Sequence, residues 1–289
     1  MHRYLLHNGA ILDAGSSLTL SPGQVGLMNG WGVFSTVRVH EGVLFAWPRH
    51  WARMARDAGV MRVPFPWTSA QIEVELLKLV EANAARNATL RVMAVRNRGG
   101  MYEGPNITRD TDLIAFTTDL REWGGAARLG VAPDARHAAS IFAGTKVLSW
   151  AQNLSYYEKA HEDGFDEVVL LNERGEVSEC TSANLFAVQG PLVLTPPLSS
   201  GCLPGVTRQL LLEEIRVPGL EVREQVLTLA ALEAADEVFM TSTTRDLLPV
   251  ASIEGLHVRS EGRARARLQD AFRQYLASYV ARAAATTVR

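Results

Sequence analysis

Lysine is almost missing from this chain: Lys78, Lys146 and Lys159 stand against 26 arginines in 289 residues. Chemistry that needs a reactive amine therefore has three candidates. Cysteine is scarcer still. Cys180 and Cys202 have no metal-ligand spacing and do not suggest a disulfide framework. No metal site is expected. No apolar run approaches the roughly 18 residues of a membrane span. Arg3 is followed only by the brief apolar pair Leu5-Leu6, so no secretory leader is expected. The formal charge of −2 gives no electrostatic argument for nucleic acid or an anionic membrane as partner. Internal repeats and low-complexity stretches are absent. With 47% apolar and 21% charged residues, the chain reads as an ordinary globular enzyme, and a cytoplasmic location is the expectation.

At 289 residues the chain exceeds the usual size of a single core, so two domains are expected. Residues 1–120 form the smaller α/β domain, 121–127 the linker, and 128–289 the larger domain. The linker is placed where Arg121-Glu122-Trp123-Gly124-Gly125 breaks the pattern. Tyr4 to Leu12 reads as a hairpin turning at Asn8-Gly9, and Gly30 to Val39 as a glycine-rich turn entering a β-branched strand. Glu41-Gly42 turns that strand into Val43 to Ala46. Helices are expected over Pro48–Gly59 and Ser69–Asn83, with strands over Thr89–Val95 and Leu113–Phe116. Beyond the linker, strands are expected from Arg128 and over Asp166–Asn172, Val222–Leu227 and Glu237–Thr241. Helices are expected over Trp150–Glu162, Val206–Ile215 and Arg263–Ala284.

The stretch from Glu179 to Arg208 carries the most chemistry. A carboxylate ends a short strand, a second strand follows, and Pro204-Gly205 opens a helix at Val206. The first amides of that helix have no partner inside it, and such an end attracts anions, phosphate above all. A carboxylate and a phosphate seat roughly 25 residues apart suit a ligand with a basic nitrogen at one end and a phosphate at the other. Pyridoxal phosphate is that kind of ligand. Among the lysines, Lys78 and Lys159 read as solvated helix residues. Lys146 follows the small-residue turn Ala143-Gly144-Thr145 just before a helix, where a backbone can aim a side chain into a cleft. Arg53 lies three residues after His50, on the same side of its helix.

Glu179, Thr181, Asn184-Leu185-Phe186, Val193-Leu194-Thr195 and Gly205-Val206-Thr207-Arg208 together resemble the motif of the class IV (fold type IV) pyridoxal-phosphate enzymes. That family includes branched-chain aminotransferases, D-amino acid aminotransferases and aminodeoxychorismate lyases. The resemblance covers almost the whole chain. It implies a two-domain α/β (α+β) fold with pyridoxal 5'-phosphate bound between the domains, and a homodimer. It also implies that Lys146, 33 residues ahead of Glu179, is the Schiff-base lysine in the larger domain and the base for the Cα proton. Glu179 takes the pyridine nitrogen. Arg53, in a His-x-x-Arg helix, takes the phosphate, with the backbone of Val206 and Thr207 and the hydroxyl of Thr243. Arg91, Thr36 and Thr244 are implied near the substrate, and Arg96 and Arg98 are either carboxylate binders or simply exposed.

The expected function is transfer of an amino group between an amino acid, branched-chain among the options, and a 2-oxo acid. The alternative is a 4-amino-4-deoxychorismate lyase that releases pyruvate and 4-aminobenzoate, and a third reading is a non-enzymatic relict of the fold. Branched-chain enzymes carry a tyrosine and a glutamate where this chain has Asn29 and Ser35, positions the resemblance assigns to the substrate pocket. Phe34-Ser35-Thr36 with Arg38-Val39, and Lys146-Val147-Leu148-Ser149, look closer to the lyases. Met101 stands near where lyases carry an arginine.

Overall fold

The computed structural model describes residues 1–15, 21, 23–100, 103–105, 107–259 and 262–287. Met101 lies outside the described residues. The chain divides into two compact units. The first comprises Met1–Arg121, Thr145–Trp150 and Ser278–Arg289, and the second Glu122–Gly144 and Ala151–Ala277. The six-residue segment bearing Lys146 thus packs with the first unit, whereas the sequence reading allots it to the larger domain. Its backbone bonds, described below, are the physical reason.

In the first unit β1 (Tyr4–His7) and β2 (Ala10–Asp13) are joined by Asn8-Gly9 at φ of 51° and 83°. Both residues are left-handed, as a two-residue hairpin turn requires. After α1 (Val25–Asn29), β3 (Gly32–His40) turns through Glu41-Gly42 into β4 (Val43–Leu44). Then come α2 (Trp47–Val60), α3 (Ser69–Ala82), β5 (Ala88–Arg96) and β6 (Thr111–Thr118). Pro48 opens the first turn of α2, and Thr68 with Gln71 forms a reciprocal cap on α3.

The six strands form an antiparallel sheet in the order β2-β1-β6-β5-β3-β4. Alternation sorts its two faces. Val37, Val39, Leu90 and Val92 meet Trp47, Met54, Leu76 and Leu79 in one core. Phe34, Thr36 and Arg91 point the other way.

The second unit holds β7 (Ala127–Arg136), α4 (Ala151–Glu162), β8 (Glu167–Asn172), β9 (Val177–Cys180), β10 (Asn184–Gln189) and β11 (Leu192–Thr195). Next are α5 (Val206–Glu213), β12 (Glu221–Glu224), α6 (Leu229–Glu233), β13 (Glu237–Ser242), β14 (Asp246–Ile253) and α7 (Ala264–Thr287). The last residues of α7 belong to the first unit. Eight strands run in the order β12-β11-β10-β13-β14-β7-β8-β9. Leu129, Val169, Leu185, Leu194, Met240 and Val250 are central to the core. Glu237 accepts the Ala264 amide at 2.7 Å, so a strand carboxylate caps α7.

Two elements escape the sequence reading, α1 and β14. Pro249 hides β14, because proline lacks the N–H a central strand normally donates. The strand is nonetheless central, antiparallel to β13 and parallel to β7, with its register shifting just after the proline, between Val250 and Ser252. Among the described residues no helix is long and apolar enough to cross a membrane.

Candidate active site

In the first unit, α2 buries three polar residues among apolar ones: His50, Arg53 and Asp57, at i, i+3 and i+7. That spacing keeps them on one helix face. Ser35 sits opposite, fully buried on β3. Arg53 Nη2 donates to Ser35 Oγ at 2.9 Å, and His50 Nδ1 lies 2.8 Å from the same oxygen. Burial pushes the His50 imidazole well below its ordinary pKa, with Arg53 and Lys146 adding like-charge repulsion, so the ring is neutral. Its Nε2 is buried and has no hydrogen-bond partner among the described residues. Ser35 is therefore committed to α2. The sequence reading that places it in a substrate pocket is corrected here, because strand alternation turns it to the helix side. Asn29 is exposed, and its amide closes α1 by donating to the Val25 carbonyl at 3.0 Å.

Lys146 is held at both backbone polar groups. Its N–H donates to Asp57 Oδ2 at 3.0 Å, and its carbonyl accepts the Phe34 N–H at 3.1 Å. With Leu148 N–H donating to the Gly32 carbonyl at 2.9 Å, this short stretch pairs with the start of β3. The ammonium lies 4.6 Å from the centre of the Phe34 ring. The Arg91 guanidinium lies on the same ring at 3.9 Å, and Thr36 stands directly across from Arg91 in the sheet register. Burial lowers the Arg91 pKa, and among the described residues no carboxylate pairs with it. A half-buried cation in that state is a seat for an anion.

The other lysines are engaged on exposed helix surfaces, Lys78 with Glu75 at 2.8 Å and Lys159 with Asp163 at 2.6 Å. Arg96 lies over the Trp31 ring at 4.0 Å. Arg98 pairs with Glu103 at 3.2 Å and Asp110 at 3.6 Å, so its charge is already answered.

In the second unit the motif residues converge on one turn. Glu179 Oε2 accepts the Leu203 N–H at 3.0 Å, while Asn184 Nδ2 donates to the Leu203 carbonyl at 2.8 Å. Both grip Leu203-Pro204-Gly205 and aim α5. Gly205 is the N-cap of α5, with no side-chain cap, and a Cβ there would fall 2.0 Å from Asn184 Oδ1. Only glycine fits. The amides of Val206 and Thr207 open the helix, both residues being buried. Arg208 turns away from this end, donating to the Pro196 carbonyl at 2.8 Å and pairing with Glu224. It braces the turn.

Glu179 Oε1 faces Arg136 Nε at 3.6 Å, and Arg136 also donates to Asn153 at 3.1 Å. Thr243 and Thr244 form the turn between β13 and β14. Next to them Arg245 is buried, 3.4 Å from Glu167 Oε2 and 3.6 Å from the centre of the Trp123 ring. Glu167 in turn accepts the hydroxyls of Thr181 and Ser182, which ties the two turns to one buried ion pair. Burial pushes the Cys202 thiol up to about 12 and raises that of Cys180, so neither serves as a nucleophile at neutral pH.

Asp57, Arg136 and the Glu167–Arg245 pair were not singled out from the sequence. The stripe His50, Arg53, Asp57 on an otherwise apolar face was the available signal for the first. Arg136 had none, being one arginine among 26.

Residues 32–253 match amino-transferase class IV. The D-alanine aminotransferase of Bacillus licheniformis is 28% identical over 257 residues, covering 89% of this chain and 90% of that protein. The branched-chain-amino-acid aminotransferase of Escherichia coli (strain K12) is 30% identical over 258 residues, covering 84% of this chain and 83% of that one. A solved structure of the Escherichia coli branched-chain enzyme superposes with a TM-score of 0.86 at 26% identity, over 96% of this chain and 95% of that one. A Legionella pneumophila structure described as a 4-amino-4-deoxychorismate lyase superposes with a TM-score of 0.82 over 90% and 96% of the two chains. At 21% identity that likeness shows the fold alone. The fold is the mixed α/β fold type IV, and the chain belongs to the class IV aminotransferases.

Proposed function

We propose that this chain is a pyridoxal 5'-phosphate-dependent aminotransferase that exchanges amino groups between an amino acid and a 2-oxo acid. The observation that carries the reading is Lys146, the one lysine whose backbone N–H and C=O are both pinned while its amine rests on an aromatic face. The donor set fits the cofactor. Gly205 leaves the first turn of α5 open to a phosphate, Glu179 is a partly buried carboxylate, and Arg53 is a buried guanidinium. Arg53, the Val206 and Thr207 amides and the Thr243 hydroxyl would hold the phosphate, and Glu179 the ring nitrogen.

Bound there, the cofactor supplies an aldehyde carbon for the substrate amine and a ring that spreads the charge left when Cα loses its proton. Lys146 Nζ is the base that takes the Cα proton and would return it to the former aldehyde carbon, two atoms away. The Glu179 carboxylate keeps a proton on the ring nitrogen, with Arg136 Nε 3.6 Å from its Oε1. Arg91, with Thr36 and Thr244, receives the substrate carboxylate. The neutral His50 keeps a further positive charge away from Arg53.

The lyase alternative draws on Phe34-Ser35-Thr36. Ser35 is spent on His50 and Arg53, so of that likeness Phe34 and Thr36, beside Lys146 and Arg91, are what bear on substrate choice. The test is to mix the loaded protein with single amino acids, L and D, without any oxo acid. Conversion of the bound cofactor to pyridoxamine phosphate by at least one of them, reversed by a 2-oxo acid, is expected. No conversion across the panel, with pyruvate released from aminodeoxychorismate, refutes the transferase reading.

A further inference from the structure

Asp57 is the third polar residue in the buried stripe of α2, and nothing assigned so far uses it. Its carboxylate is fully buried. Oδ1 accepts Arg56 Nε at 2.9 Å, which answers its charge, and Oδ2 accepts the Lys146 N–H at 3.0 Å across 89 residues of sequence. A carboxylate buried on a helix is costly unless its partners repay it. One of these partners is the main chain of the segment bearing the sole sheltered lysine.

We propose that Asp57 is a positioning residue for Lys146: it fixes the point from which the lysine side chain departs. This rests on the role of Lys146 given above. The lysine stem has four torsions, so its amine is only as well placed as its Cα. With the carbonyl bound to Phe34 and the N–H bound to Asp57, that Cα is set from both sides. The Phe34 bond belongs to a strand pairing and would leave the segment free to hinge about it. The Asp57 bond removes the hinge. Arg53 lies one helical turn before Asp57 on the same face. One rigid helix therefore sets both a phosphate anchor and the reactive lysine, a spacing that loops alone would hold poorly.

The test uses Asp57→Ala and Asp57→Asn in the full chain. Asparagine keeps the size and an acceptor oxygen but removes the charge. Three readouts are taken: amide hydrogen exchange of the peptide containing Lys146 without cofactor, pyridoxal phosphate saturation, and the yield of borohydride-reduced adduct mapped to Lys146. For Asp57→Ala, faster exchange, about tenfold weaker saturation and a lower adduct yield are expected, with Asp57→Asn restoring most of all three. If the alanine variant does not fold, Asp57→Ser carries the same readouts, its hydroxyl being too short to reach Lys146. A variant that melts earlier but exchanges and forms adduct like the parent overturns the proposal, as does failure of asparagine to restore. Should the parent form no adduct at Lys146, the proposed function falls, and the exchange readout alone still decides whether Asp57 holds that amide.

Discussion

The two units gather their polar groups in opposite ways. In the second, Glu179, Asn184 and the Leu203–Thr207 turn lie within thirty residues, and Glu179 and Asn184 both grip Leu203. In the first, Ser35 meets His50 and Arg53 from nearby in the chain, but Lys146 comes from a segment 89 residues beyond Asp57. The second arrangement is confined to one stretch of chain, while the first is complete only when a distant segment folds back onto α2. A local motif tolerates damage elsewhere, whereas an assembly from distant parts fails when any one part moves.

Variants on the two sides should show this. The largest effect belongs to Lys146→Ala, which removes both the amine and the base. Turnover should fall about a thousandfold or more, while Lys78→Ala and Lys159→Ala leave it intact. A borohydride adduct mapped to Lys78 or Lys159 would contradict the assignment.

Glu179→Gln comes next. It keeps the shape of the turn, since an amide oxygen still accepts from Leu203, yet it loses the charge. A fall in turnover of roughly a hundredfold with cofactor still bound is expected, and near-normal turnover would exclude the role.

Arg53→Ala should act on affinity. The loss of a charge-assisted phosphate contact is worth ~1.5–3 kcal/mol, or about ten- to a hundredfold in the cofactor dissociation constant. Titration followed by turnover at saturation separates the two, and a normal titration with slow turnover would refute the anchoring role.

The smallest effect concerns pH. The His50 pKa is depressed in the folded state, so below its ordinary value near 6.5 the unfolded chain binds a proton that the native protein refuses. Stability from this source is full above that pH and declines as pH falls below it, by up to about 1.4 kcal/mol per pH unit. Chemical denaturation between pH 7 and 5 should show a steeper decline in the parent than in His50→Gln. Parallel curves would mean that His50 takes up its proton without disturbing the fold.

The same contrast explains how far the sequence could be read. Glu179 and the Gly205 turn were legible because they fall in one stretch whose residue types and spacing resemble the family motif. Lys146 was legible by elimination, with only three lysines to weigh. Asp57 and Arg136 were not, because their partners are set by sheet pairing rather than by neighbours in the chain. Ser35 was misread because a residue in a strand can belong to either face until its register is known. Of the elements, β14 was lost to Pro249, a local signal that tertiary pairing overrode, and α1 to its brevity.

The close approach of Gly205 to Asn184 also shapes the routes by which this protein could have changed over time. An alanine at 205 collides with the asparagine amide at 2.0 Å, so it requires a smaller residue at 184 first. A smaller residue at 184, acquired first, abandons the Leu203 carbonyl and loosens the turn. Each order of events passes through an impaired ancestor, one carrying the collision and the other lacking the bond to Leu203. Two positions coupled in this way are expected to change together or not at all. Lineages descending from this chain should keep the pair long after its surface has been rewritten.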